Sequence, residues 1–374
     1  MENTVVYHQN DSHSTISHLP SDTTVRATVD SELLLNESST DDGELAFSLT
    51  YCFTNTSYPF TSQSSSLKLC PLVPPRLVGP IRVWMDSPSF SALQKLYPYL
   101  EPGGHGQPKN CRSRHKVAVV VPYRDRDSHL RILLHNLHSL LTKQQLDYAI
   151  IVVEQVANQT FNRAKLMNVG YAEGIKLYLW ECFIFHDVDL LPEDDRNLYS
   201  CPTIPRHMII DLLPIYCRFM LPYTAIFGGI SAMTVGQLRS INGFSNRYWG
   251  WGGEDDDLAD RVSVAGYKVA RYPAPIARYK MIKHEHEAKS NPVNKCRYKL
   301  MAQTRTQWKA DGLNSLKYEV VKHELLPLYT HILVDLLEND EHKAIKRFLH
   351  ITLSVSVLFL SGLCSFLLLN HLVK

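Results

Sequence analysis

The sequence predicts an α/β protein built on an open sheet, and three features predict it. Val117-Ala118-Val119-Val120-Val121, Ala149-Ile150-Ile151-Val152-Val153 and Cys182-Phe183-Ile184-Phe185 are short, unbroken apolar runs. Such runs suit strands buried on both faces. Between the first two, Leu130, Leu133, Leu134, Leu137 and Leu141 recur at the helical period. Strand, helix and strand at this spacing make a parallel crossover. A second helix through Ala164 to Glu173 repeats the unit before the third run. Asp127 or Ser128 is placed to cap the first helix, and Pro122 to end the first strand.

Length and composition set the frame. The 374 residues suffice for one large domain or two ordinary ones, and 45% hydrophobic content supports a sizeable core. A net charge of +2 argues against nucleic-acid binding. Eight cysteines without a CxxC pair argue against a zinc ribbon or a thioredoxin-type motif. Asn-x-Ser/Thr triplets at Asn10, Asn36, Asn55 and Asn158, together with the cysteines, point to a secretory, oxidising compartment.

Residues 1–66 are rich in Ser, Thr, Asn and Asp without a sustained apolar period, as in a disordered stem. No apolar run of signal-peptide length follows Met1. Pro71, Pro74, Pro75 and Pro80 then mark an extended entry into a body expected over 67–340. Residues 351–369 carry no charge and reach the length of a membrane span, about 20 residues. Lys343, Lys346 and Arg347 flank that run.

Open α/β sheets bind ligands at the carboxyl ends of their strands. Those ends are Pro122-Tyr123-Arg124-Asp125-Arg126, Glu154-Gln155 and His186-Asp187-Val188-Asp189. Neither a GxGxxG turn nor a phosphate-cradling GxxxxGKS/T loop is present. In Asp187-Val188-Asp189 alternate residues face opposite ways, so one carboxylate can meet a metal while the other holds a sugar hydroxyl or backbone. Divalent Mg and Mn take carboxylate oxygen together with substrate phosphate. Met281 and His284 add a thioether and an imidazole, without the HExxH spacing of a zinc protease. In Tyr248-Trp249-Gly250-Trp251-Gly252-Gly253-Glu254-Asp255-Asp256-Asp257, two indoles and three glycines precede four carboxylates that open a helix stopped by Gly266. A helix dipole accounts for one or two of these acids, not four beside two tryptophans. The stretch reads as a mobile loop whose aromatic faces hold a polar ring such as a sugar, with one carboxylate acting as base.

The strings VVVPYRDR, FNRAKLMNVG, FIFHDVDLLPEDDRNLY, PRH, LPYTAIFGGISAM, INGFSNRYWGWGGEDDD, MIKH and DGLNSLKYEV span Cys70 to about Asp335. Over that stretch the chain resembles the β-1,4-galactosyltransferase family, inverting sugar-nucleotide transferases. The resemblance implies a GT-A type fold, an open mixed sheet flanked by helices. It implies Mn2+ held by Asp189, Met281 and His284. It assigns Pro122, Tyr123, Arg124, Arg126, Phe161, Arg163, Asp187, Val188, Ile226 and Trp251 to the donor. Asp255 matches the base and Glu254 its acidic neighbour. Gly253 and Asp256 match acceptor contacts, as do Arg297 and Tyr298 after a one-residue shift. The region from Ile282 to about Met301 matches a closing lid. Disulfides Cys70–Cys111 and Cys182–Cys201 are implied, leaving Cys52, Cys217, Cys296 and Cys364 unassigned.

The family's galactosyl branch carries Tyr before Phe-Gly-Gly, where this chain has Ile226. A smaller, apolar residue leaves room for an N-acetyl group at the donor's C2. UDP-GalNAc is therefore the expected donor and UDP-galactose the alternative, with a GlcNAc-terminated glycan as acceptor. The resemblance also implies a Golgi membrane protein with a lumenal catalytic domain. The family carries an N-terminal span, whereas residues 1–66 hold no apolar run of that length, and the basic flank before Ile351 favours the cytosol on that side, against lumenal disulfides; either the natural N-terminus lies upstream of this sequence or the tail anchors in an unusual way. The segment after PRH, MIIDLLPIYCRFM, departs from the family pattern.

Overall fold

The computed structural model describes residues 58–210, 226–283 and 291–339. The chain divides into two compact units, Met1–Asp335 and Leu336–Lys374, and the architecture below is that of the first. Most of the expected stem, the apolar run 351–369, His284, the segment 211–225 and Cys52, Cys217 and Cys364 lie outside the described residues. Among the described residues no helix is long and apolar enough to cross a membrane.

In chain order the elements are α1 (Phe90–Leu96), β1 (Lys116–Tyr123), α2 (Asp127–Lys143), β2 (Asp147–Gln155), α3 (Arg163–Leu177), β3 (Cys182–His186), β4 (Leu190–Pro192), β5 (Arg206–His207) and β6 (Ile230–Thr234). There follow α4 (Val235–Ser240), α5 (Glu254–Val264), β7 (Ala270–Arg271), β8 (Tyr279–Met281), α6 (Arg297–Met301), α7 (Thr304–Gln307), β9 (Glu319–Leu325) and β10 (Thr330–Asp335). Eight strands form one sheet in the order β7-β5-β6-β3-β1-β2-β10-β9, and β4 pairs with β8 in a small second sheet. The three apolar runs are the parallel centre: β1 pairs with β2 and with β3 in parallel. The sheet is mixed because β6 lies antiparallel on β3 and β9 antiparallel on β10.

Strand alternation explains the two covered faces. Val117, Val119 and Val121 belong to the same core as Leu130, Leu133, Leu134, Leu137 and Leu141 of α2. The opposite face meets α3, where glycine allows close approach. A Cβ on Gly170 would stand 2.2 Å from Val120 Cγ1, and one on Gly174 2.9 Å from Phe183 Cε1.

Several boundaries differ from expectation for visible reasons. Strand β1 runs through Pro122 to Tyr123 rather than ending at the proline. Its pairing with β3 stops at Val120, so beyond that point a residue without an N–H is tolerated. Neither Asp127 nor Ser128 caps α2: its N-cap is Arg126, without a side-chain cap, and Asp127 instead pairs with Arg131 at 2.9 Å. Helix α3 spans Arg163–Leu177, longer than the Ala164–Glu173 reading, and Asn162 caps its start by accepting from the Lys165 N–H. Within the expected stem, Phe60 is buried and stacks on His105 at 4.6 Å. Disulfides join Cys70 to Cys111 and Cys182 to Cys201, and Cys296 is a free, exposed thiol.

Candidate active site

The carboxyl ends of β1 and β3 and the N-terminus of α5 border one cleft of about 600 Å³. It is lined by Pro122, Arg124, Arg126, Phe161, Arg163, Asp187, Val188, Asp189, Ile226, Trp251, Gly253, Glu254, Asp255, Asp256, Arg297 and Tyr298. These residues span more than 170 positions of sequence, and the sheet topology is what gathers them.

Arg163, in the first turn of α3, joins the two acidic halves of the cleft. Its Nε donates to Asp187 Oδ1 at 2.6 Å, and its Nη1 lies 3.7 Å from Glu254 Oε1. Burial pushes the Asp187 and Glu254 carboxyls up, and Arg163 opposes that in both cases. Glu254 Oε2 is buried with no hydrogen-bond partner among the described residues. A buried acceptor left open in a cleft fits a hydroxyl-bearing ligand. Arg124 donates to the Gln159 carbonyl at 2.7 Å and lies 5.0 Å from the Phe161 ring centroid. Four guanidinium groups line the cleft, those of Arg124, Arg126, Arg163 and Arg297, and a guanidinium matches the geometry of carboxylate and phosphate oxygens.

Helix α5 separates the four acids. Glu254, Asp255 and Asp256 line the cleft, whereas Asp257 is buried behind it. Asp257 accepts from Arg261 Nε at 2.5 Å, Thr304 Oγ1 at 2.6 Å and Tyr248 OH at 3.2 Å. One acid of the four is therefore an anchor rather than a cleft residue. Gly253 caps the helix at φ +93°, a conformation that suits glycine.

Trp251 is half exposed at the cleft mouth. Its N–H donates to the Pro292 carbonyl at 2.8 Å, its carbonyl accepts from the Asn294 N–H at 3.0 Å, and the Gly250 N–H donates to Phe161 O at 2.8 Å. The tryptophan loop is thereby stitched to Pro292–Asn294 on one side and to Phe161 on the other. Arg297 stacks on the Tyr298 ring at 4.6 Å.

Two expected residues sit elsewhere. Tyr123 does not line the cleft; its side chain belongs to the core. Met281 lies on β8, opposite Leu190 of β4, and the next residue's N–H donates to Asp189 O at 2.8 Å. That pairing brings the Met281 backbone alongside Asp189, while His284 lies outside the described residues. Sequence reasoning missed Gly228, Gly229, Gly252, Asn291 and Met301 as lining residues. Met301 had a signal: it follows Arg297 at i+4 on α6, hence on the same face. Gly228 and Gly229 stood in a quoted string without a stated role.

A family model of the N-terminal region of glycosyl transferase group 7 matches residues 70–202, and one of the N-terminal domain of galactosyltransferase matches 212–285. Beta-1,4-galactosyltransferase 3 of Bos taurus is 47% identical over 272 residues, covering 72% of this chain and 68% of the bovine protein. The chain belongs to the β-1,4-galactosyltransferase family. Mouse beta-1,4-galactosyltransferase 1 is 44% identical over 279 residues, 74% of this chain and 69% of its own. Among solved structures, a variant of Drosophila beta-1,4-galactosyltransferase 7 in complex with manganese, UDP-Gal and xylobiose matches with 31% identity and a TM-score of 0.50, over 59% of this chain and 93% of that one. The mixed sheet flanked by helices is the GT-A type fold expected of a β-1,4-galactosyltransferase family member.

Proposed function

We propose that this family member is an inverting β-1,4-glycosyltransferase. It moves a galactosyl or N-acetylgalactosaminyl group from a UDP-sugar to the 4-hydroxyl of a GlcNAc-terminated glycan. The observation that carries the reading is the meeting, in one cleft, of Arg124, Arg126, Arg163 and Asp189 with Asp255 in the first turn of α5.

The residues fit a manganese ion. Asp189 lines the cleft beside the arginines, its carboxylate is a hard oxygen donor, and β8 runs antiparallel beside it. Asp189, with Met281 and His284, would hold the ion. When bound, manganese neutralises charge on the leaving diphosphate. The manganese of the Drosophila complex supports the choice of ion.

The remaining work falls to side chains. Arg124 and Arg126 bind diphosphate oxygens, and Arg163 keeps Asp187 turned toward the donor. Asp255 accepts the proton of the acceptor hydroxyl as that oxygen forms its bond to the anomeric carbon. The bond from that carbon to the diphosphate oxygen breaks with its electron pair, and UDP leaves. Attack from the opposite face turns an α linkage into a β linkage. Trp251 and the Pro292–Asn294 segment stitched to it close the mouth and exclude water, which limits hydrolysis.

Two donors have different support. The names of the similar proteins favour UDP-galactose, the first reading on that ground. Ile226, nearly buried in the cleft wall, favours UDP-GalNAc, because an apolar side chain at that point leaves space for an N-acetyl methyl. Rates with the two donors on a GlcNAc acceptor decide between them. Faster GalNAc transfer, reversed by Ile226→Tyr, supports the second reading; faster galactose transfer returns the assignment to the first. The Golgi membrane, with the body in the lumen, is the proposed location, and glycosylation at Asn36 or Asn158 in the natural host tests that orientation.

A further inference from the structure

The PRH string has no role in the chemistry above, yet its histidine reaches the cleft wall. Strand β5 (Arg206–His207) lies between β6 and β7, with His207 opposite Ser231 on one side and Arg271 on the other. His207 is buried, and its Nε2 lies 2.9 Å from the Gly228 carbonyl oxygen. Its Nδ1 lies 3.1 Å from Arg271 Nε. A guanidinium nitrogen only donates, so Nδ1 accepts and the ring proton sits on Nε2, where it donates to Gly228. Burial holds the ring's pKa down at about 4, consistent with a neutral imidazole carrying that single proton. Arg271 Nη2 also donates to the Ile226 carbonyl at 2.7 Å. The Phe227 ring packs edge-on against His207 at 5.9 Å.

We propose that His207 and Arg271 form a two-point brace on the Ile226-Phe227-Gly228 strap, as positioning residues that set which C2 substituent the donor can carry and where Asp255 sits. The two side chains hold the carbonyls at both ends of a three-residue strap. At one end stands Ile226 in the donor wall. At the other, Gly228 is so near Asp255 that an added Cβ would lie 2.5 Å from Oδ2. Movement of the strap is therefore felt at the sugar and at the base together. The imidazole also fixes the guanidinium, so neither hydrogen bond to the strap is independent of the other.

The inference rests on the proposed transfer reaction, and its test separates the two. The ratio of kcat/KM for UDP-galactose over UDP-GalNAc is measured in wild type, His207→Leu, Arg271→Leu and His207→Gln, with thermal midpoints alongside. Both donors meet the same preparation, so a loss of folded fraction leaves the ratio unchanged. The brace predicts a shift of about threefold or more in the two leucine variants, the scale of one lost hydrogen bond. It predicts recovery toward the wild-type ratio in His207→Gln, which keeps a donor for Gly228. Unchanged ratios in the leucine variants, however low the activity, overturn it. Should wild type transfer neither sugar, the reaction is overturned and the brace is judged on the His207 ring by long-range proton–nitrogen correlation. A ring protonated on Nε2 supports it, and one protonated on Nδ1 overturns it.

Discussion

Gly228 and Asp255 touch so closely that a methyl group on the glycine would stand 2.5 Å from Asp255 Oδ2. Backbone conformation does not require glycine there; the space does. Gly228→Ala should therefore displace the proposed base while leaving the fold intact. A misplacement near 1 Å costs about a hundredfold in rate. The expected outcome is a fall in kcat on that scale, with a thermal midpoint close to wild type.

The acidic cluster separates by substitution. Asp255→Asn should abolish most turnover and preserve both UDP binding and the denaturation midpoint. Asp257→Asn should do the reverse. It weakens a buried pair with Arg261 at 2.5 Å, a kind of change that costs up to about 3–5 kcal/mol. Urea denaturation measures that loss, and turnover per folded molecule should stay near wild type.

Gly250 and Gly266 share a left-handed backbone, at φ +86° and +83°, but not the same surroundings. A Cβ on Gly250 would meet Pro292 O at 2.3 Å, whereas one on Gly266 meets nothing within 4 Å. Gly266→Ala should cost only backbone strain, of order 1 kcal/mol, without touching catalysis. Gly250→Ala should part the tryptophan loop from Pro292–Asn294, raising the donor KM and the share of UDP-sugar lost to hydrolysis. Comparing UDP release with and without acceptor reads that share.

His138 and His207 give the stability a pH dependence. Burial lowers each to about 4, against the stabilising effect of a carbonyl partner, Leu328 O for His138 and Gly228 O for His207. The unfolded chain then binds these protons at higher pH than the fold does. Their contribution is fully present above the unfolded value of about 6.5 and is lost as pH falls toward 4. Asp187 and Glu254, whose carboxyls burial pushes up, act in the opposite sense over the same range. The histidine part is therefore read as a difference: the midpoint of His138→Gln should lie below wild type at neutral pH, and the gap should narrow as pH falls from about 6.5 toward 4.

The central sheet was legible because β1, β2 and β3 are buried on both faces, so their sequences are unbroken apolar runs. Short peripheral strands such as β5 and β7, two residues each, carry no periodic signal. The same limit applied to the site. Arg163, Asp187 and Asp255 stood out as charged groups in specific strings. Gly228 and His207 did not, because their roles depend on what packs against them: a carboxylate oxygen in one case, a carbonyl and a guanidinium in the other. The division of labour among Glu254, Asp255, Asp256 and Asp257 was equally invisible, since it follows from which side of α5 each faces. Pro122 read as a strand end because the partial pairing of β1 with β3 cannot be seen in the sequence.

The central claim is metal-assisted transfer with Asp255 as base, and the most direct measurement is UDP release from UDP-galactose and UDP-GalNAc in the presence of a GlcNAc-terminated acceptor. The account predicts release that requires both manganese and acceptor in wild type and is lost in Asp255→Asn, which still binds UDP. Release from neither donor, release independent of manganese, or an Asp255→Asn variant turning over at the wild-type rate would contradict it.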